Sequence, residues 1–248
     1  MISSNIAAAT YVFFRLSPII LVAPAFPFAF IPVVVRLVLV IVFSSVIVAS
    51  LEEQHLKLIP TTLSVSLLVS EIFLGIILSL SLHAANAAVH MMGQLIDIQT
   101  GLAVASTFDP ASYQPNSPIG TLFSLVLIIC FFSLGLDYDL LNSFAELFRV
   151  APPGVSYGLN DNYFHAISEI FILGFVVASP IIITLWLLDI ALSFISKSLP
   201  QAQIYFVAMP LKIFLSLLLL GITLENSTDT IYALLKNSLS TWINVVRT

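Results

Sequence analysis

GQLIDIQTGLAVASTFDPASYQPNSP, residues Gly93 to Pro118, decides how this chain reads. Its first half continues an apolar helix that carries polar side chains at helical spacing. Its second half is a loop holding Pro110, Pro115 and Pro118, set in a protein that is otherwise almost continuously apolar. Hydrocarbon offers no hydrogen-bond partner to irregular backbone. A loop of this kind in a membrane protein therefore has to be buried in protein or line an aqueous path.

Composition points to the membrane independently. Apolar residues make up 59% of the 248 residues and charged residues 8%, with a mean hydropathy of +1.10. Soluble domains carry about 25% charged residues, so the chain needs a bilayer or a protein jacket around it. The formal net charge of −5 is spread over scattered acids, and Lys plus Arg total 8. No clustered basic face for nucleic acid can be built from that set. Cys130 is the single cysteine, which excludes an intrachain disulfide and a multi-cysteine zinc site. Within LIICFF it reads as a small buried hydrophobe. No positive charge precedes the first apolar run, and Arg15 sits inside it, so the start does not read as a cleaved secretory signal.

Apolar segments alternate with breakers. Leu16 to Val35 is uncharged but holds Pro18, Pro24, Pro27 and Pro32, and no regular helix is expected to pass through all four. Leu37 to Leu51 predicts a helix ended by EEQHLK, and Leu63 to Leu82 a helix containing only Glu71. Ile119 to Leu136 is an uncharged span, followed by an amphipathic helix from Leu140 to Val150 that stops at Pro152, Pro153 and Gly154. After a hydrophilic stretch, Ser156 to His165, come Ile167 to Phe194, interrupted by Pro180, and Ile204 to Leu224, interrupted by Pro210. Thr230 to Val246 predicts a last amphipathic helix. The expected fold is an all-α integral-membrane protein of broken helical hairpins, with about six apolar helical segments. Residues 1–248 read as one unit without a separate soluble domain.

Before the loop, His83, Asn86, His90, Gln94, Asp97 and Gly101 recur at steps of three or four and share one helix face. Such a stripe turns toward protein or water. His83 and His90 lie seven residues apart with no third ligand at metal-site spacing, so they read as hydrogen-bonding groups. Ala84, Ala85, Ala87, Ala88 and Gly93 permit close helix contact. Arg15, Arg36, Glu71, Asp97, Asp189 and Lys212 are the ionisable groups deepest in apolar sequence. Their spacing suggests no local proton relay, and structural pairing is the expected role. Asp189, Ser193, Ser196, Lys197 and Pro200 form a second polar seam. No phosphate loop, nucleophile elbow or HExxH is present, so no enzyme chemistry, metal or cofactor is implied.

In order and spacing these features resemble the bacterial export-gate family that includes flagellar FliR and injectisome SctT. Pro32 and Arg36 resemble the family's entry to an early helix, and Glu71 and Gly75 its glutamate–glycine helix. Gly93, Gln94, Gln99, Gly101, Asp109, Pro110, Asn116 and Pro118 match the central motif. Glu146, Phe148, Arg149, Pro152, Pro153 and Gly154 match the next segment, and Pro200, Gln201, Pro210, Leu211 and Lys212 the C-terminal hairpin. Asp137, Tyr138 and Asp139 replace the asparagine–glycine–histidine turn common in flagellar members. Asp97 stands where many of those members carry a small residue and injectisome members can carry an acid. GLAVASTFDP leans toward the flagellar branch.

The resemblance implies a single-copy, non-enzymatic subunit of a type III export gate. Its expected partners are FliP-, FliQ- and FlhB-like proteins, unfolded export substrates and lipid, in a bacterial inner membrane at the flagellar basal body. It also implies a P-type-like part over 1–154, a connector over 155–165 and a Q-type-like hairpin part over 166–248. The loop after the central helix is expected to plug the pore, with Gly101, Phe108, Asp109, Pro110, Tyr113, Asn116 and Pro118 as its residues. Arg36, Glu71, Glu146, Arg149, Asp189 and Lys212 are expected as structural charges. A small secondary transporter is the alternative from another class, since it too uses broken helices with buried charge. No internal repeat supports it.

Overall fold

The structure is a computed structural model that describes residues 2–22, 27–28, 31–51, 59–60, 63–103, 117–154, 162–198 and 204–246. Among these residues the regular elements are all helical. They are α1 (Ile2–Ser17), a wide π turn (Pro18–Val22), α2 (Val33–Ser50), α3 (Val65–Thr100) and α4 (Pro118–Ser133). Then come α5 (Leu136–Val150), α6 (Asn162–Ser198), α7 (Ile204–Asn226) and α8 (Thr228–Val246). Five of the described helical stretches are long and apolar enough to cross a membrane, and the broken pair α4 and α5 makes a sixth if it counts as one span. The chain is thus an all-α, multi-pass membrane protein.

The prolines act differently at different places. Pro18 ends the regular turns of α1 and opens the π turn, and Pro32 immediately precedes α2. Pro180 and Pro210, expected to interrupt their helices, do not: α6 and α7 run through them. A proline removes the N–H that would bond the carbonyl four residues earlier. For Pro180 that carbonyl is Val176, and the Ser179 hydroxyl donates to it at 2.8 Å. A neighbouring hydroxyl is one of the devices by which membrane helices tolerate proline.

Two stretches read separately in the sequence are one element. Leu63 to Leu82 and the polar-striped helix join in α3, 36 residues without a break. At 1.5 Å per residue α3 is about 54 Å long, far more than a hydrocarbon layer of about 30 Å. α6, with 37 residues, is as long. It begins at Asn162, so the last four residues of the hydrophilic stretch are already helical, while 155–161 lie outside the described residues. Between α4 and α5 the chain turns at Gly135, where φ is +71°, a conformation that side chains other than glycine rarely adopt.

By packing, the chain forms two compact units. One comprises Met1–Ala84, Gly135–Glu169 and Leu235–Thr248; the other comprises Ala85–Leu134 and Ile170–Leu234. In the first, Ala8, Tyr11, Val12, Arg15, Leu16 and Ile19 form the fully buried stripe of α1 and the π turn, at steps of three and four. Phe144 stacks at 4.9 Å between ring centres on Trp242, whose indole N–H donates to the Leu78 carbonyl and the Ser81 hydroxyl. Away from its buried residues α2 is bare: Val34, Val38, Ile41 and Val46 are exposed, as suits a lipid- or protein-covered helix.

Candidate functional site

The site lies in the second unit, where α3 ends and α4 begins. Ser-Pro before an apolar run is a helix-start pattern, with proline at the first position where its missing N–H costs nothing. Ser117 is the N-cap of α4 and its hydroxyl oxygen accepts from the Gly120 N–H at 2.9 Å. The same hydroxyl donates its proton to the Asp97 carboxylate, which also accepts from the Ile119 N–H at 3.1 Å. Asp97 is 2% exposed. An acceptor side chain fits there because the first N–H groups of a helix are unpaired and carry partial positive charge. One turn earlier, α3 and α4 touch backbone to backbone: a Cβ on Gly93 would lie 2.4 Å from the Gly120 Cα. The last turns of α3 and the first turn of α4 are therefore pinned at two levels.

A second anchor holds the departing end. Buried Lys212 of α7 donates to the Gln99 carbonyl at 3.2 Å, one of the final carbonyls of α3, and pairs with Asp189 of α6. A cation at a helix C-terminus also complements its partial negative charge. Gly101 ends the turn at φ +84° and packs against the Met209 side chain. Of the residues expected in the loop, Gly101 and Pro118 occupy these two anchored ends. Phe108, Asp109, Pro110, Tyr113 and Asn116 lie outside the described residues.

The polar stripe is graded along α3. His83 is exposed, Asn86, His90 and Gln94 are half-buried, and Asp97 is buried. On the packed side of α3, Ala84, Ala85 and Ala88 are buried, and a Cβ on Gly174 of α6 would lie 2.8 Å from the Ala88 Cβ. Small residues on both helices thus set that approach.

The expected structural charges fall in different surroundings. In the first unit Arg15 and Glu71 are both fully buried and bonded as a fork, Nε to Oε2 at 2.5 Å and Nη2 to Oε1 at 3.0 Å. Arg15 Nη1 donates to the Ala151 carbonyl at 2.7 Å, and the Gly154 N–H donates to Glu71 Oε1 at 2.6 Å. The guanidinium carbon lies 4.8 Å from the centre of the Phe148 ring. Gly75, one turn after Glu71, makes the approach possible, because a Cβ there would meet the Arg15 carbonyl at 2.2 Å. Arg36 donates to the Ile31 carbonyl at 2.8 Å, holding the chain entering α2. Glu146 and Arg149 are exposed on α5. Sequence reasoning singled out each of these charges but not the Arg15–Glu71 partnership, whose members stand 56 residues apart. It also missed Ser117 as the Asp97 partner, although the Ser-Pro start of α4 signalled a cap.

The family model for bacterial export proteins, family 1, matches residues 6–238. The Yersinia pestis Yop proteins translocation protein T is 31% identical over 157 residues, which is 61% of this chain and 60% of that protein. The chain thus aligns with less than two thirds of that relative. Flagellar biosynthetic protein FliR of Bacillus subtilis is 26% identical over 249 residues, 95% of this chain and 92% of the relative. The Aquifex aeolicus FliR is 26% identical over 88% of this chain and 85% of its own length. With the family model spanning nearly all of the sequence, and flagellar and Yop-translocation relatives both aligned to it, the chain belongs to the FliR/SctT family of bacterial export proteins.

Proposed function

We propose that this chain is a non-enzymatic subunit of the flagellar type III export gate. In this reading it helps form the pore and plug through which unfolded flagellar proteins leave across the bacterial inner membrane, at the basal body. FliP-, FliQ- and FlhB-like proteins are its partners. Residues 1–154 play the P-type-like part and 166–248 the Q-type-like part, joined by the connector 155–165. The single observation that carries the plug is the anchored stem. Asp97 and Ser117 hold one end of the intervening segment, Lys212 holds the other, and a proline-rich sequence unsuited to lipid lies between. Helices of about 54 Å also support a body extending out of the hydrocarbon layer, where partner helices cover what lipid does not. Arg36, Glu71, Asp189 and Lys212 then serve packing, each bonded to a carbonyl, an N–H or an opposite charge.

The flagellar assignment rests on alignment over 92% of the Bacillus relative. An injectisome role of the SctT type is the second reading, favoured by Asp97 and by the 31% identity to the Yersinia protein. Deleting Ala111 to Asn116, which spares the Ser117 cap, tests the plug. The assembled complex is expected to pass small ions that the parent complex excludes, and unchanged conductance in an assembled complex would rule the plug out.

A further inference from the structure

We infer that the groove between α1 and α2, inside the first unit, holds one acyl chain of an anionic phospholipid whose phosphate sits at Arg36. The groove measures about 470 Å³ and is lined by Ala9, Phe13 and Phe14 of α1 and by Ile41 and Ser45 of α2. Three hydroxyls also line it, and each spends its proton on its own helix. Thr10 donates to the Ile6 carbonyl, Ser44 to the Val40 carbonyl, and Ser45 to the Ile41 and Val42 carbonyls. Water needs two or more polar partners to stay in such a place, and an empty groove forfeits the dispersion contacts of its lining. Between two helices apolar enough to cross a membrane, the occupant that meets both conditions is hydrocarbon.

Arg36 favours a lipid tail over a protein side chain. It is the fourth residue of α2, five before Ile41 and so about 7.5 Å from it along the helix axis. Beyond it α2 is uncharged to its end, and the 18 residues of the helix make about 27 Å, close to a hydrocarbon layer of about 30 Å. Arg36 thus lies at headgroup depth. Its Nε donates to the Ile31 carbonyl and its Nη1 reaches the Leu21 carbonyl at 3.5 Å, whereas Nη2 bonds nothing among the described residues. A half-buried guanidinium with a free edge suits a phosphate. A phospholipid carries phosphate and acyl chain on one molecule, while a partner helix would have to bring both apolar side chains and an acid at this one end. The inference needs only the membrane and stands apart from the plug reading.

The test places the assembled complex in phosphatidylcholine vesicles doped with a phospholipid that carries a diazirine in one acyl chain. The labelled lipid is phosphatidylglycerol in one arm and phosphatidylcholine, at the same mole fraction, in the other. After irradiation, mass spectrometry reads adducts on α1 and α2, with exposed Trp186 and Leu187 of α6 as the measure of bulk lipid. Labelled phosphatidylglycerol is expected on Phe13, Phe14 and Ile41, displaced by excess unlabelled phosphatidylglycerol. Its yield there, relative to α6, should exceed that of labelled phosphatidylcholine roughly tenfold, the effect of one charge-assisted hydrogen bond. Arg36→Gln should remove that preference. Ala9→Phe, which puts a ring into the groove, should remove the α1 and α2 adducts and leave those on α6; if it prevents assembly, Ser45→Phe decides. Adducts that are not displaced, equal yields from the two labelled lipids, or adducts that persist in the filled groove overturn the inference. So does a groove free of labelled lipid in which a segment of a partner protein is cross-linked instead.

Discussion

Replacing Glu71 tests the buried ionic cluster of the first unit. Its side chain accepts three hydrogen bonds: two from Arg15 and one from the Gly154 N–H. Glu71→Ala leaves a guanidinium with 0% exposure and the Ala151 carbonyl as its remaining bonded partner. Removing one member of a buried pair costs about 3–5 kcal/mol, so at the lower bound the folded population falls roughly 150-fold relative to the unfolded. Glu71→Gln keeps the shape but turns an N–H₂ toward a donor. If its oxygen keeps Arg15 Nη2 and Gly154, Arg15 Nε loses its partner, for about 2–3 kcal/mol. In the double Arg15→Met, Glu71→Leu variant no charge is left bare. The Ala151 carbonyl and Gly154 N–H are then orphaned, at about 1–3 kcal/mol each. The double should therefore cost about as much as one single substitution and well under the sum of two. The assay is a double-mutant cycle of Arg15→Met, Glu71→Leu and their combination, read by thermal unfolding of the purified assembly, with membrane half-life as a second readout. Additive losses would mean that the two charges do not stabilise each other. A Glu71→Gln complex that is fully stable yet exports nothing would refute the reasoning, since charge would then act in transport rather than packing.

Other predictions follow from single contacts. Trp242→Phe retains the ring against Phe144 but loses the bonds to Leu78 and Ser81; it should cost about 1–2 kcal/mol in the same unfolding assay, whereas no change would mean the indole N–H is not needed. Gly93→Ala forces a Cβ to within 2.4 Å of the Gly120 Cα; it should lower the recovered complex sharply, and normal recovery would mean α3 and α4 do not cross there. Ser179→Ala removes the donor to the Val176 carbonyl and should cost about 0.5–1 kcal/mol. In a Pro180→Ala background the same change should cost nothing, because the restored main-chain N–H at position 180 bonds that carbonyl instead. Equal costs in both backgrounds would discount the hydroxyl's role at the proline.

Helix positions were legible because breakers and polar runs in this chain are sharp: Pro18, Pro32, Pro118 and the Pro152-Pro153-Gly154 series all sit at element ends. Pro180 and Pro210 misled for a local reason, since a proline inside a long membrane helix loses one bond while the remaining turns hold. The merger of two segments into α3 was concealed by the change from an apolar run to a polar stripe at His83, a change of surroundings and not of backbone. Asp97 was legible as a buried polar group from its place on the stripe. Its partner was not, because Ser117 lies across the very loop whose path local periodicity does not describe. Arg15 and Glu71 were visible as costly charges, but a pairing between distant helices depends on packing that no spacing rule encodes. Gly75 carried a hint: a glycine one turn from a buried acid marks a close approach of backbone.

Exposed apolar residues on α2 and helices longer than a bilayer core fit the proposed place of this chain, unstable alone, as one member of a membrane assembly. The direct measurement is native mass spectrometry of the tagged chain, purified in mild detergent from cells that either carry or lack the proposed P- and Q-type partners. One copy of this chain is expected in a complex that contains the proposed partners, with rapid degradation of the chain when they are missing. A long-lived, monodisperse, protease-resistant monomer in both strains would contradict it.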